Sequence, residues 1–364
     1  AWDNAEPGIL YKGKIDSYNL LSKVPEYKIT GTNPCGEIPM PSMSACLLGS
    51  INLSEYVKNP FTDYATVDYE SLKSDVKIYV DALNECLEEN TPFMPLKEQE
   101  EAARKYRAIG LGYFGIGDMF IKLSIRYGSP ESIEVADEIG RLVARQSIIA
   151  SDGLFEKYPT PEIISENEIK IYASDFYREH FDEEEEFLPV NTSLLTSAPT
   201  GSLSTMLGVS GGIEPIFSLK MWRKTESLNN GETTYYEVNV PVVDEWMQFN
   251  GETEIPEWII SSTALNQNIS ERVEMQSVWQ KHIDNAISST VNLAEETTIE
   301  QVMDLYTEAW NKGLKGITVF RDGCKRLGIL TSESKDENVK HNENKHRLQR
   351  GDIVQADDDV LGYK

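Results

Sequence analysis

Residues 32–53 read TNPCGEIPMPSMSACLLGSINL, with Asn33, Cys35 and Glu37 at alternate positions and a second cysteine, Cys46, eleven residues after the first. Pro34, Gly36, Pro39 and Pro41 rule out a regular helix here and predict a shaped loop. In an extended loop, residues 33, 35 and 37 point to the same side. An amide, a thiol and a carboxylate on one side could surround a small polar substrate: the sulfur reacts, the carboxylate takes a proton, and the amide orients hydroxyls. A proline-rich surface loop with incidental residues fits the same spacing equally well, because Asn-x-Cys-x-Glu is short.

Outward from this loop the chain alternates helical and strand-like stretches. Apolar residues three or four apart, Leu72, Val76, Tyr79, Leu83 and Leu87, predict an amphipathic helix over 67–90. Cys86 lies beside that stripe and is expected to be a small buried hydrophobe. Two further helices are expected over 97–121 and 132–158. Thr298 and Gln301 form a capping-box pair ahead of Val302, Leu305 and Ala309, Gly313 stops that helix, and Gly316 to Phe320 follow as a buried β-branched strand. This αβ order predicts an α/β architecture with parallel strands. Residues 332–352 are almost free of large apolar groups, and 331–364 are expected to be a polar linker or tail.

Two glycine-bearing motifs need separate treatment. Gly110 to Gly115 match GxGxxG, but they follow the charged stretch EQEEAARKYRA, whereas a dinucleotide fingerprint follows a buried strand. Close helix packing is the expected use of these glycines. Ala198-Pro199-Thr200-Gly201-Ser202, with Ser204 beyond, is a turn of small residues whose free amides and hydroxyls can wrap phosphate oxygens without a strong positive field.

Sixty acidic against 34 basic residues give a formal charge of -26, which argues against a nonspecific grip on a nucleic-acid polymer or an anionic membrane. No run of about eighteen apolar residues and no signal-like start appear, so a soluble, cytoplasmic protein is expected. Cys35, Cys46, Cys86 and Cys324 are too scattered for a disulfide scaffold, and neither they nor the four histidines show metal-ligand spacing, so no metal site is expected. The first residue is Ala, and the last residues, VLGYK, carry no stop signal, so a piece of a longer protein is expected.

NPCGE followed by ACLLGSINL resembles the active-site loop of ribonucleotide reductases, and NPCGE in particular resembles their adenosylcobalamin-dependent, class II branch. Four more segments resemble the family in the same order: AWDNAEPGI, RAIGLGYFGIGDMFIKLSIRYGS, SAPTGSLSTMLGVSGGIEPIF and KGITVFRDG, so that the resemblance covers about residues 1–330. It implies the second half of a ten-stranded α/β barrel over 1–330, with the catalytic cysteine on an internal loop. It also implies reduction of ribonucleotides to 2'-deoxyribonucleotides by thiyl-radical chemistry. Cys35 would carry the radical, Glu37 would accept the 3'-hydroxyl proton, Asn33 would hold the sugar hydroxyls, and Cys46 would be half of a redox dithiol. The loop Asn33, Pro34, Cys35, Gly36 and Glu37 and the turn Ala198, Pro199, Thr200, Gly201 and Ser202 would bind the substrate.

Parts of the family pattern are missing: the redox partner of Cys46, the effector-binding region, the early barrel strands and a cysteine-bearing C-terminal tail. Where relatives often read SKTVNL, residues 288–293 read SSTVNL and lack the lysine. Class I enzymes pass a radical from a second subunit through two adjacent tyrosines at positions matching Thr318 and Val319, which cannot relay it. Adenosylcobalamin over Cys35 is therefore the implied radical source. The implied partners are a ribonucleotide, a thioredoxin or glutaredoxin-type reductant, the upstream N-terminal half of the reductase and a second copy in a homodimer. The alternatives are a class I subunit, a dinucleotide-dependent oxidoreductase using Gly110 to Gly115, and a noncatalytic half of a split enzyme.

Overall fold

A computed structural model of the protein describes residues 1–226, 233–325 and 330–331. Of the polar tail expected at 331–364, only Thr331 is described, paired across from Trp222 on a two-residue strand; residues 332–364 lie outside the described residues.

The centre of the fold is a row of parallel segments. Leu47–Asn52 pairs with Ile109–Phe114, Leu47 opposite Ile109 and Asn52 opposite Phe114. Parallel bridges then join Leu111 to Leu195 and Ser197 to Ile287. Thr290–Leu293 pairs in parallel with Gly316–Arg321, and Ile9–Leu10 lies antiparallel on the far side of that strand. The order across the row is therefore 47–52, 109–114, 194–197, 286–293, 316–321 and 9–10. Among the described residues no pairing closes this row into a barrel. All six residues of Ile109–Phe114 are buried, as a parallel strand covered on both faces requires.

Helices cover the row in the expected places. Tyr69–Asn90 begins at Asp68, whose side chain accepts from the Ser71 amide, and it buries Leu72, Val76, Val80, Leu83 and Leu87. Pro130–Asp152 begins at Ser129 with Pro130 in the first turn, where proline's missing N–H costs nothing. The capping box of Thr298 and Gln301 forms at the start of Ile299–Asn311, and Gly313 takes φ +83 just past its end.

Four expectations fail. The single helix over 97–121 is instead helix Lys97–Tyr106, strand Ile109–Phe114 and helix Ile116–Lys122. The break falls at Arg107, left-handed at φ 42, whose buried guanidinium donates to Glu88 and Asn84; pairing with 47–52 then outweighs local helical character. Gly110 and Gly112 accordingly serve strand packing rather than helix packing. A Cβ on Gly112 would sit 2.2 Å from the Thr196 carbonyl oxygen, and one on Gly110 would sit 2.5 Å from Thr196 Cγ2. Both glycines are taken up by a neighbouring strand and cannot face a pyrophosphate. Cys86 is exposed, not buried, because one step of the helix from Leu87 turns it about 100° off the apolar stripe. The third helix stops at Asp152, six residues before the expected end.

One arrangement has no local signal at all. His180 and His282 are 102 residues apart in sequence, yet Nε2 of the first lies 2.9 Å from Nδ1 of the second, and Nε2 of His282 lies 2.9 Å from Asp137 Oδ1. Gly140 makes the space, since a Cβ there would meet His282 Cδ2 at 2.6 Å.

Gly112→Ala is expected to destabilise the protein by about 1–3 kcal/mol, towards the upper end because the obstacle is backbone. Gly13→Ala, which meets nothing within 4 Å, is the control and should change stability by less than about 0.5 kcal/mol. Urea denaturation midpoints decide; equal midpoints for the two variants would contradict the close strand contact.

Candidate active site

The 33–37 loop is a hairpin turn between the short strands Gly31–Thr32 and Pro39–Met40. It is not extended. The Gly36 amide donates to the Asn33 carbonyl at 3.1 Å, Gly36 takes φ 82, and the Ile38 amide donates to Asn33 Oδ1 at 3.1 Å. The alternation of side chains expected for an extended loop is therefore lost: Cys35 is exposed at the turn, while Glu37 is only 2 % exposed. Asn33 shapes the turn through its amide oxygen and keeps its NH2 group for other acceptors.

Glu37 is fixed by its backbone. Its carbonyl accepts from Thr196 Oγ1 at 2.7 Å and from the Ala286 amide at 3.0 Å, so the loop hangs between two neighbouring segments of the parallel row. Its carboxylate oxygen Oε2 is buried with no hydrogen-bond partner among the described residues. A buried acceptor left empty is costly unless something fills it.

Cys46 stands just before strand Leu47–Asn52 and is half-buried. Its sulfur lies over Gly110, 3.1 Å from where a Cβ would be, in the same small space that receives Thr196 Cγ2. Thr196 thus has its hydroxyl on Glu37 and its methyl in the space beside Cys46. Both thiols are pushed above the usual cysteine range. For Cys35 the larger cause is burial, followed by the Glu37 carboxylate; for Cys46 it is burial, followed by Asp284 and then Glu37. Glu37 is therefore within electrostatic reach of both sulfurs. Asp284 is an addition: its carboxylate accepts from the Leu194 and Leu195 amides at 2.9 and 2.7 Å.

The turn at 198–202 begins two residues beyond Thr196. Thr200 takes φ 51 ahead of helix Gly201–Leu207, and its hydroxyl accepts from the Gly212 amide at 2.8 Å. Gly201 and Ser202 are exposed, and no atom lies within 4 Å of a Cβ built on Gly201. Open space in front of small residues at a helix start suits an anion's oxygens. Ala198 and Pro199 lead into this turn directly from the bridged segment that also carries Thr196.

The family described as ribonucleotide reductase, barrel domain, matches residues 1–320. The chain belongs to that family. Ribonucleotide reductases among its relatives include the vitamin B12-dependent ribonucleoside-diphosphate reductase of Thermoplasma acidophilum, 32% identical over 354 residues that cover 91% of this chain and 42% of the relative. The protein of the same name in Mycobacterium tuberculosis is 27% identical, covering 90% of this chain and 46% of its own length. The chain thus spans less than half the length of these two relatives. Among solved structures, the Actinobacillus ureae class Id ribonucleotide reductase alpha subunit superposes with a TM-score of 0.68 at 19% identity, over 88% of this chain and 59% of that one. That likeness supports the fold.

Thr196, Asp284 and Lys315 escaped the sequence reading. Thr196 sits among other small hydroxyl residues, Thr192, Ser193 and Ser197, with nothing to mark it. A charge enclosed by apolar residues, Asp284 between Ile283 and Ala286 or Lys315 between Leu314 and Ile317, was the available signal for a buried ionic partner.

Alkylation with iodoacetamide at about pH 8.5 should modify Cys86 first, Cys35 more slowly and Cys46 last, since thiolate fraction and access set the rate. Mass spectrometry of the digested protein reads the order. Labelling of Cys46 as fast as Cys86 would contradict its enclosed position beside two carboxylates.

Proposed function

We propose that this chain carries the substrate-reducing centre of an adenosylcobalamin-dependent ribonucleotide reductase, converting ribonucleotides to 2'-deoxyribonucleotides. The observation that carries this is the Glu37 carboxylate, buried, unpartnered and within electrostatic reach of two thiols, in a chain of the reductase family. The cobalamin assignment is supported by the names of the relatives and by Thr318 and Val319 in strand Gly316–Arg321, where a tyrosyl relay has no side chains to use. The exposed thiol of Cys35 also fits a radical source arriving from outside the turn. Adenosylcobalamin, when bound, supplies the organic radical that takes the hydrogen atom from the Cys35 thiol.

The remaining chemistry belongs to this chain's residues. The Cys35 sulfur removes the hydrogen atom from the ribose 3' carbon, while Glu37 Oε2 accepts the 3'-hydroxyl proton, which fills the empty acceptor position. Asn33 holds the sugar hydroxyls through its NH2 group. The 2'-hydroxyl leaves as water on taking a proton, and Cys46 with a second thiol supplies the two electrons, ending as a disulfide; the Cys35 thiol then returns the hydrogen atom to the 3' carbon and is left as the thiyl. Ala198, Pro199, Thr200, Gly201 and Ser202 hold the phosphates.

Cys86 is exposed on the helix Tyr69–Asn90; the resemblance to the family puts the dithiol partner of Cys46 in the upstream half of the reductase. A thioredoxin or glutaredoxin-type protein rereduces the pair, and the rest of the reductase and a second copy complete the assembly. Among the described residues no helix is long and apolar enough to cross a membrane, and a cytoplasmic site of action follows from the supply of substrate and reductant.

In the full-length enzyme, Cys35→Ser is expected to abolish deoxyribonucleotide formation while nucleotide binding survives. Cys46→Ser should permit at most one turnover with a thioredoxin-type reductant. Glu37→Gln should lower kcat by about 100-fold or more with little change in KM. Residual steady-state turnover in Cys35→Ser, or full turnover in Cys46→Ser, would remove those residues from their roles. The 364-residue chain alone, given adenosylcobalamin, a ribonucleotide and dithiothreitol, should form no deoxyribonucleotide; sustained product would require Cys86 or Cys324 to reach Cys46.

A further inference from the structure

Lys315 is 1 % exposed and is used nowhere in the chemistry above. Its ammonium donates to the Ile283 carbonyl at 3.2 Å, to the Asp284 carbonyl at 2.6 Å and to the Asn285 carbonyl. The Tyr18 ring lies 5.4 Å from Nζ. Burial pushes Lys315 well below the usual lysine range, and the Asp284 carboxylate opposes that shift. Its backbone is held as well, since the Lys315 carbonyl accepts from the Tyr11 amide at 2.9 Å and the next carbonyl, Gly316, accepts from Gln276 at 2.8 Å.

The two charges grip opposite halves of one backbone assembly. The ammonium gathers the three carbonyls of 283–285, and the Asp284 carboxylate gathers the amides of Leu194 and Leu195. The Asn285 amide completes the junction by donating to the Leu195 carbonyl at 3.1 Å. One residue beyond each gripped segment stand Thr196 and Ala286, the two groups that bond the Glu37 carbonyl. Resting on the reductase reading of Glu37, we propose that Lys315, through Asp284, is a positioning residue for Glu37, setting the two suspension points from which that carboxylate is presented. An ammonium suits this task because its three donors can each take a separate carbonyl. A neutral side chain of the same length leaves those carbonyls without donors in a dry interior, so the 283–285 turn and the segment docked on it must shift. A displacement of a reacting group by an ångström is enough to cost a large factor in rate.

The test uses the full-length enzyme with Lys315→Met, which keeps the side chain's length and removes its donors, beside the parent. The expected result is a fall in kcat of about 10- to 100-fold with KM for the nucleotide nearly unchanged. The acidic limb of the pH–rate profile should move, and amide hydrogen exchange at Leu195 and Ala286 should accelerate at least tenfold. A purely structural role would lower the amount of active enzyme and leave the pH–rate profile in place, and that result would overturn the proposal, as would unchanged exchange at Ala286 with unchanged kcat. If Lys315→Met does not fold, Asp284→Asn carries the same comparison. A parent enzyme that forms no deoxyribonucleotide would sink the reductase reading instead, while the exchange measurement would still report whether Lys315 holds the two segments.

Discussion

The arrangement of the site rests on how closely the 194–197 segment can lie against Ile109–Phe114. With Gly112 and Gly110 beneath it, the Thr196 backbone occupies space that any Cβ would claim. That approach puts the Thr196 hydroxyl on the Glu37 carbonyl and its methyl in the space occupied by the Cys46 sulfur. Without it, the Glu37 carbonyl would keep the Ala286 amide and lose the Thr196 hydroxyl, and the turn at 198–202 would start from a different height. Glycines that look like a cofactor fingerprint in the sequence are in fact the clearance for a packed parallel strand.

Much of this was legible beforehand because the relevant signals are local. Prolines and glycines between 34 and 41 reveal the loop, spacing of leucines and valines reveals the helix Tyr69–Asn90, and Thr298 with Gln301 reveals the start of Ile299–Asn311. Resemblance to reductases then picked out Asn33, Cys35, Glu37 and Cys46 from a pattern that chemistry alone left open. What stayed hidden is what tertiary pairing decides. The strand at 109–114 was masked by the charged helix before it, and the strand's partner, 47–52, lies on the far side of two helices. Cys86 was misjudged because a single helical step separates an exposed position from a buried one. Asp284, Lys315, and the contact of His180 with His282 join positions that nothing in the neighbouring sequence connects.

Electrostatically the site is economical for a chain with a charge of -26. Its substrate would bring further negative charge, yet the turn at 198–202 offers amides and hydroxyls rather than cations, and the buried lysine nearest the centre spends its donors on backbone carbonyls. The acidic groups that matter, Glu37 and Asp284, are few and buried; burial first, then Glu37 at Cys35 and Asp284 and Glu37 at Cys46, pushes both thiols above the usual cysteine range.

The order of the row also has a kinetic side. Its strands are neighbours in space but not in sequence: 47–52 waits for 109–114, that strand waits for 194–197, and 194–197 waits for 286–293. Each pairing must close a long loop before it gains a contact, which places the molecule among proteins of high contact order that fold slowly. Until the third closure occurs, Glu37 has no Ala286 to hang from and the strand edges stay open to other chains. The grouping of Glu37 with the two thiols is thus a late product of folding, completed only when segments far apart along the chain have met.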